Sequence, residues 1–415
     1  MKSFKIGWIF LFGITTQFIH AQQFDASVQF RPRYEYRNGF KTFLPDNQKA
    51  ASFVSQRTRL NLNFENDVWQ VYLSMQNNGV WGENDLAAAN NKSIMTVFQA
   101  WTKYKFNENT ALKLGRQVLS YDNQRILGTL DWAQQGLNHD AALLTFKGTN
   151  FNLHTGFALN ATTESLEKKP YTANNYKNMQ FAWFNTNKYK VATSLLFLNT
   201  GYEFEDASKK LQTNYHQTWG TFLKYQSKKW MLSSGLYAQT GKLNDQKKEA
   251  YYASADFKYQ ITDKFISSVG FEYLSGTSQN KGKVNRSFAP LYGTNHIFNG
   301  TMDYFNNGNF QNSVGLNDFY VNGKWQNDKF SIEIVPHIFY ADKPIVNNMD
   351  EEKYLGTEID ITAVYQVQKD FKISGGYSQF FASESFEQFR GAKDTSNQWA
   401  WLMLSINPTI FSTKK

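Results

Sequence analysis

Basic residues alternate with apolar ones near the start of the chain, at Arg31, Arg33 and Arg37 and again at Arg57 and Arg59, with Lys103 and Lys105 following. On an extended chain a two-residue spacing puts each set on one face. Guanidinium groups ranged along such a face bind carboxylates or phosphates through paired hydrogen bonds. A solvated polar wall balanced by Glu35 and Asp25 explains any single arginine equally well, so the cluster carries more weight than its members. Acidic residues come later, at Glu272, Glu333, Glu358 and Asp360. They either oppose the basic set across an enclosed space or are salt-paired within the wall.

Covalent chemistry has less to work with. Cysteine is absent, which removes thiolate nucleophiles, disulfides and cysteine metal sites together. His139, His154, His216, His296 and His337 are scattered without the HExxH spacing of a zinc site. His139-Asp140 is the one adjacent acid–base pair, and no Gly-x-Ser-x-Gly elbow accompanies it. No metal, cofactor or catalytic residue is expected, and an enzyme is disfavoured.

The elements that must carry these groups are strands. Phe24, Ala26, Val28, Phe30, Tyr34 and Tyr36 share one face of the first segment, against Asp25, Ser27, Gln29, Arg31, Arg33 and Glu35 on the other. Thr58, Leu60, Leu62 and Phe64 oppose Arg57, Arg59, Asn61 and Asn63 in the same way, and Leu355, Thr357, Ile359 and Ile361 oppose Glu358, Asp360 and Thr362. Such runs have the length that a tilted strand needs to cross a bilayer. Short polar turns at Glu65-Asn66-Asp67, Asn107-Glu108-Asn109, Gly148-Thr149-Asn150, Asn187-Lys188, Ser227-Lys228-Lys229, Thr262-Asp263-Lys264, Asn327-Asp328-Lys329 and Lys369-Asp370 alternate with long polar segments. Those segments cover residues 38–52, 77–93, 119–134, 160–176, 200–214, 240–250, 276–312, 341–354 and 382–397. The count predicts about eighteen antiparallel strands closed into a transmembrane β-barrel, with short periplasmic turns and long extracellular loops. The spacing does not suit a propeller, since no blade motif recurs. The 276–312 segment reads as an exposed loop, with folding into the pore or sugar binding as alternatives.

Composition agrees. The mean hydropathy of −0.55 excludes helical spans, whereas a barrel shows lipid only alternate residues. The 36 Phe, 23 Tyr and 11 Trp suit aromatic girdles. Residues 1–21 read as an export signal, with Lys2 and Lys5 ahead of an apolar run from Ile6 to Ile19 and cleavage after Ala21. Residues 22–415 then form one barrel domain. Removing the two leader lysines lowers the formal charge from +9 to about +7, which favours an anionic partner. Nucleic acid is not expected outside the cytoplasm. Alternation begins almost at the mature start, which leaves no plug domain and weighs against a plugged transporter.

The run Gly115-Arg116-Gln117-Val118-Leu119-Ser120-Tyr121-Asp122-Asn123-Gln124-Arg125-Ile126-Leu127-Gly128, followed by Asp131-Trp132, resembles the alginate-export family of outer-membrane barrels. Arg31-Pro32-Arg33-Tyr34-Glu35-Tyr36-Arg37 and Gln56-Arg57-Thr58-Arg59-Leu60 are similar to that family's opening strands, and the likeness covers about the first 150 residues. The resemblance implies an eighteen-stranded barrel whose basic pore conducts an anionic polysaccharide, with Arg116, Asp122 and Arg125 in or near its constriction. Strict alternation instead turns Arg116 toward lipid with Leu112 and Leu114, unless Gly115 marks a bulge or the strand has already ended. Asp122 and Arg125 could equally form a structural ion pair with each other.

The expectation is an outer-membrane channel in a Gram-negative type of cell. Its cargo is an alginate-like polysaccharide or oligosaccharide passing Arg31, Arg33, Arg37, Arg57, Arg59 and Lys103. The alternative is a general porin for small anions, and a barrel hydrolase or surface adhesin ranks below both. Expected partners are outer-membrane lipid, the anionic polymer or small anions, and, for an exporter, periplasmic export components.

Overall fold

The computed structural model describes residues 22–84, 94–167, 169–171, 175–187, 190–206, 208–243, 246–279, 283–306, 313–347, 350–393 and 395–414. The export-signal reading of 1–21, part of the 77–93 segment and Lys188 of the Asn187-Lys188 turn lie outside these residues.

Strands in chain order are β1 (Gln23–Asn38), β2 (Ala51–Glu65), β3 (Trp69–Val80), β4 (Met95–Lys105), β5 (Thr110–Gln117), β6 (His139–Lys147), β7 (Phe151–Leu159), β8 (Asn178–Thr186), β9 (Val191–Glu205) and β10 (Leu211–Gln226). They continue as β11 (Trp230–Leu243), β12 (Gln246–Gln260), β13 (Phe265–Leu274), the two-residue β14 (Val284–Asn285), β15 (Leu316–Gln326), β16 (Phe330–Asn347), β17 (Asp350–Gln368), β18 (Phe371–Ala382), β19 (Asn397–Ile406) and β20 (Thr409–Ser412). Eighteen of these form the wall, each antiparallel to the next, so the expected barrel is the observed one.

The ring closes where β19 pairs with β1, from Phe30↔Ile406 to Asn38↔Gln398. Proline has no amide hydrogen to donate, and Pro408 interrupts the last strand. Its carbonyl still accepts from Val28 N at 3.1 Å, and β20 resumes the ladder against Asp25–Ser27. Both edges of the sheet are thereby paired, as hydrocarbon requires.

Turn chemistry explains the tight end. Asn66, Asn107 and Asn327 each open a turn and accept from two backbone amides through the side chain, with Asn107 taking Asn109 N and Thr110 N at 2.9 Å each. An asparagine that caps its own turn in this way fixes the hairpin locally.

At the opposite end the reading of nine long loops needs correction. Segments 200–214, 240–250 and 341–354 are largely strand, with pairing that reaches Glu205↔Leu211, Lys242↔Lys247 and Val346↔Glu351. The backbone ladder continues past the lipid, where side-chain polarity no longer has to alternate.

Two of the long connections fold inward, whereas most of the described part of the one between β7 and β8 stays exposed. Segment 118–138 between β5 and β6, and the described part of the connection from β13 to β15, cross the interior and touch through a parallel bridge, Leu127↔Tyr292. The exposed-loop reading of 276–312 is overturned for the described residues, since Met302 and Tyr304 are fully buried and His296 nearly so. The segment after β18 holds a short helix, α1 (Glu384–Phe389), capped by Ser383 and anchored by buried Phe386.

The loops also change the lumen. On β9, Leu195 and Phe197 face outward, 53% and 48% exposed, as lipid contact demands, yet Leu196 and Leu198 on the inner face are buried too. They belong to one core with Leu119, Tyr121, Ile126 and Leu127 of segment 118–138. The interior is therefore dry and packed on the β7–β9 side and polar on the β1–β2 side.

Candidate functional site

Strands β1 and β2 bring the arginines side by side, with Arg31 directly opposite Arg57. The interior position read from alternation is the observed one, but the groups are not an open ladder. Arg31, Arg33, Arg57 and Arg59 are all buried, and their hydrogen bonds go to residues 131–135 of the inward segment.

Asp131 is the shared counter-ion. Its carboxylate accepts from Arg57 Nη2 at 2.9 Å and Arg31 Nη1 at 3.4 Å, with Arg59 Nη1 at 3.7 Å. Arg31 also donates from Nε and Nη2 to Gln134 Oε1, and Arg33 donates to the Trp132 carbonyl at 2.8 Å. The guanidinium of Arg59 lies 3.6 Å over Phe98 and donates to Gln76 Oε1 at 2.6 Å. These contacts pair most of the buried guanidinium hydrogens, as burial of charge requires, although Arg57 Nε is left without a partner and the shared Asp131 carboxylate stays 59% exposed. Glu35, fully buried, accepts from Arg33, Arg37 and Trp399 Nε1, so it does balance its neighbours. Asp25 instead accepts from Gln23 and Ser412.

The same loop is fixed on the far side of the ring. Asp122 Oδ1 accepts from Trp183 Nε1 of β8 at 3.0 Å and from Ser194 Oγ of β9 at 2.5 Å. Burial pushes its carboxyl above the usual aspartate range, partly offset by the hydrogen bonds from Ser194, Trp183 and Tyr237. Arg125 reaches β13, where it meets Glu272 Oε2 at 3.0 Å, and donates to Asn299 Oδ1 at 2.6 Å. Asp122 and Arg125 thus anchor the loop to separate partners rather than to each other. Segment 118–138 is a strap across the pore, held by β1 and β2 at one end and by β8, β9, β11 and β13 at the other.

Arg116 does not line the pore. It sits on the outer face, 42% exposed in its side chain, and makes two parallel hydrogen bonds to Asp140 at 2.9 and 2.8 Å. Gly115 has a positive φ of 117°, but the β4–β5 register stays continuous through it, so strict alternation holds. Asp140 points outward while His139 is buried and hydrogen-bonded to Tyr176 OH at 2.8 Å, so the two are not a dyad.

Glu358 and Asp360 are not set across the pore from the arginines. Strand β17, with Glu358 and Asp360, is separated from β1 only by β18 and β19. Their carboxylates hold the second inward loop: Glu358 accepts from Met302 N at 2.8 Å and Asp360 from Thr301 Oγ1 at 2.5 Å. Glu272 accepts from Asn299 Nδ2 at 2.8 Å, and Glu333 from Asn322 within the wall.

Between the basic wall and the two loops lies a cavity of about 450 Å³, bordered by Arg37, Lys41, Phe53, Trp132, His296 and Asn306. Trp132 is sandwiched there, with Arg33 4.1 Å over one ring contact and His296 stacked at 4.4 Å. Asp303 Oδ1 accepts from His296 Nδ1 at 2.9 Å. Neither His296 nor Asp303 stood out in the sequence, because nothing local marks a loop residue that folds inward.

Lys103 is half-buried on β4, directly opposite Lys113 of β5. Lys113 was missed, although its parity with Ala111 and Gly115 would have placed it on the inner face.

A closed eighteen-stranded antiparallel wall, an apolar belt outside and loops folded into the lumen are together the architecture of the outer-membrane porins of Gram-negative cells. Three Pseudomonas aeruginosa structures are similar to the chain. OccK9 (OpdG) has a TM-score of 0.65 at 13% identity, covering 93% of this chain and 98% of that one. OccK5 (OpdH) has 0.63 at 10%, covering 94% and 98%, and the outer membrane protein OpdK 0.60 at 12%, covering 94% and 99%. At such identities the likeness is one of fold. No protein-family model and no curated protein matches the chain.

Proposed function

We propose that the chain is a passive outer-membrane channel for small anionic solutes. The observation that carries this reading is the strap formed by segment 118–138: a loop anchored at both walls narrows the lumen, while the basic residues beside it leave a positive field. Five arginines face Glu35 and Asp131 in this cluster, so the carboxylates offset only part of their charge. Anions are drawn into such a passage and cations repelled.

The likeness to OpdK supports a channel over an adhesin or hydrolase. The alternative small-anion porin is therefore preferred to the polysaccharide exporter. The resemblance of residues 115–128 to the alginate-export barrels favours the polymer, but those residues build the strap itself, and a hydrated polysaccharide chain needs a wider clear path than a small solute.

Single-channel recording on the refolded mature chain tests the reading. Steady, anion-selective current that small carboxylates reduce in a concentration-dependent manner is expected. Strong block by uronate oligomers but not by monomers would return the assignment to the polymer, and a cation-selective current would refute the anionic one.

A further inference from the structure

The four arginines first read as an anion ladder are occupied by the strap. A passing anion would have to displace Asp131 or several loop carbonyls to reach them. A second set of basic groups lies lower in the wall. The register row Glu65–Gln70–Lys103–Lys113 crosses β2 to β5 next to the short turns. Measured along β2 it is six residues beyond Arg59, about 20 Å toward the short-turn end.

Two lysines directly opposite one another in adjacent antiparallel strands bring their β-carbons to about 5 Å, and like charges so placed destabilise a sheet. The usual remedy is a carboxylate. Glu65, the acid in this row, is taken by Lys105, whose Nζ lies 2.8 Å from its Oε1. Neither Lys103 nor Lys113 has a carboxylate within salt-bridge distance among the described residues. The one compensating contact is Lys113 Nζ, 4.0 Å over the Trp101 ring, which is itself stacked on Tyr72. Both lysines are half-buried on the inner face of the wall. A pair of cations without a carboxylate partner, held against its own repulsion, is a site for an anion with two acceptor oxygens.

We infer that Lys103 and Lys113 form an anion-binding station on the short-turn side of the strap, and that this pair adds to the charge selectivity of the pore beyond the field of the arginine cluster. The station takes a carboxylate or a phosphate, bridged between the two ammonium groups. The inference rests on the channel reading above, and the two fail differently.

The test is the reversal potential of the refolded mature chain in a planar bilayer under a potassium chloride gradient, for the parent, K103Q/K113Q and K103R/K113R. The glutamine pair is expected to lower the chloride-over-potassium permeability ratio by about threefold or more, the effect of removing two nearby charges in water. The arginine pair keeps the parent ratio and shows that the site tolerates substitution. Acetate and phosphate, added in turn, should each reduce the parent current and lose that effect in K103Q/K113Q; whichever acts at the lower concentration identifies the preferred ligand. An anion-selective parent whose ratio the glutamine pair leaves unchanged overturns the lysine station alone. A parent that conducts without anion selectivity overturns the anionic-solute reading as well, and one that does not conduct overturns the channel itself.

Discussion

A buried guanidinium needs its hydrogens satisfied, and at Arg57 the strap meets most of that need, leaving Nε alone without a partner. Arg57 is completely buried and donates to Asp131 and to carbonyls of residues 131, 133 and 134. R57Q should leave the barrel intact but cost about 2 kcal/mol of loop anchoring, the scale of hydrogen bonds to a charged group. The expected signature is a larger and noisier single-channel current, and an unchanged current would show that the strap is held elsewhere. Asp122 supplies a pH prediction. Burial raises its carboxyl above the usual aspartate range, so the folded state binds its proton more tightly than the unfolded chain. The sign follows: its protonated form favours folding at low pH, and stability falls as pH rises from the ordinary aspartate value through the raised one. D122N removes that loss. Urea unfolding of the two proteins between pH 3 and 7 should show a shallower decline for D122N; equal slopes would mean that Asp122 does not titrate in this range.

The strap as an element depends on both of its anchors. Arg57 and Arg125 sit at its two ends with no shared partner, so their effects on loop stability should add. If R57Q and R125Q each broaden the current, R57Q/R125Q should broaden it by the sum, and a double variant no worse than either single would show that one anchor releases the whole loop. Gly136 marks the strap's return to the wall. Its φ of +67° is in the left-handed region, and an added Cβ would lie 2.7 Å from Phe98 Cε2 and 2.9 Å from Arg59 Nη2. G136A should therefore strain the loop by about 1–2 kcal/mol and shift channel noise in the direction of R57Q. Turns were legible at this scale because Asn66, Asn107 and Asn327 act within a few residues of themselves. The course of segment 118–138 was not, since its contacts are with β1, β2, β8, β9, β11 and β13, and no local pattern encodes partners so distant.

At the scale of the whole molecule the two faces of the wall obey different rules. Val269 on β13 is 54% exposed among other apolar groups that face lipid. V269R should destabilise the folded barrel by about 2–4 kcal/mol if the residue lies near the bilayer midplane, measured by urea titration in lipid vesicles. The control F181Q alters the inner face, where Phe181 packs with Tyr121 of the strap; it should disturb the strap while barrel insertion proceeds.

The lipid face explains what the sequence alone determined: strand number, the alternation of tight turns with longer connections, and the inward placement of Arg31, Arg33, Arg57 and Arg59. Each follows from a rule with a period of two residues or from a turn that caps itself. Tertiary structure decided the rest. It turned the arginine ladder into a clamp on Asp131–Gln135, separated Asp122 from Arg125, put Arg116 and Asp140 together on the outer face, and left Lys103 and Lys113 opposite one another without a carboxylate partner among the described residues. Alternation states which face a side chain takes, but the partner it meets there depends on which loops fold into the lumen, and that is settled by burial and hydrogen bonding among residues far apart in the chain.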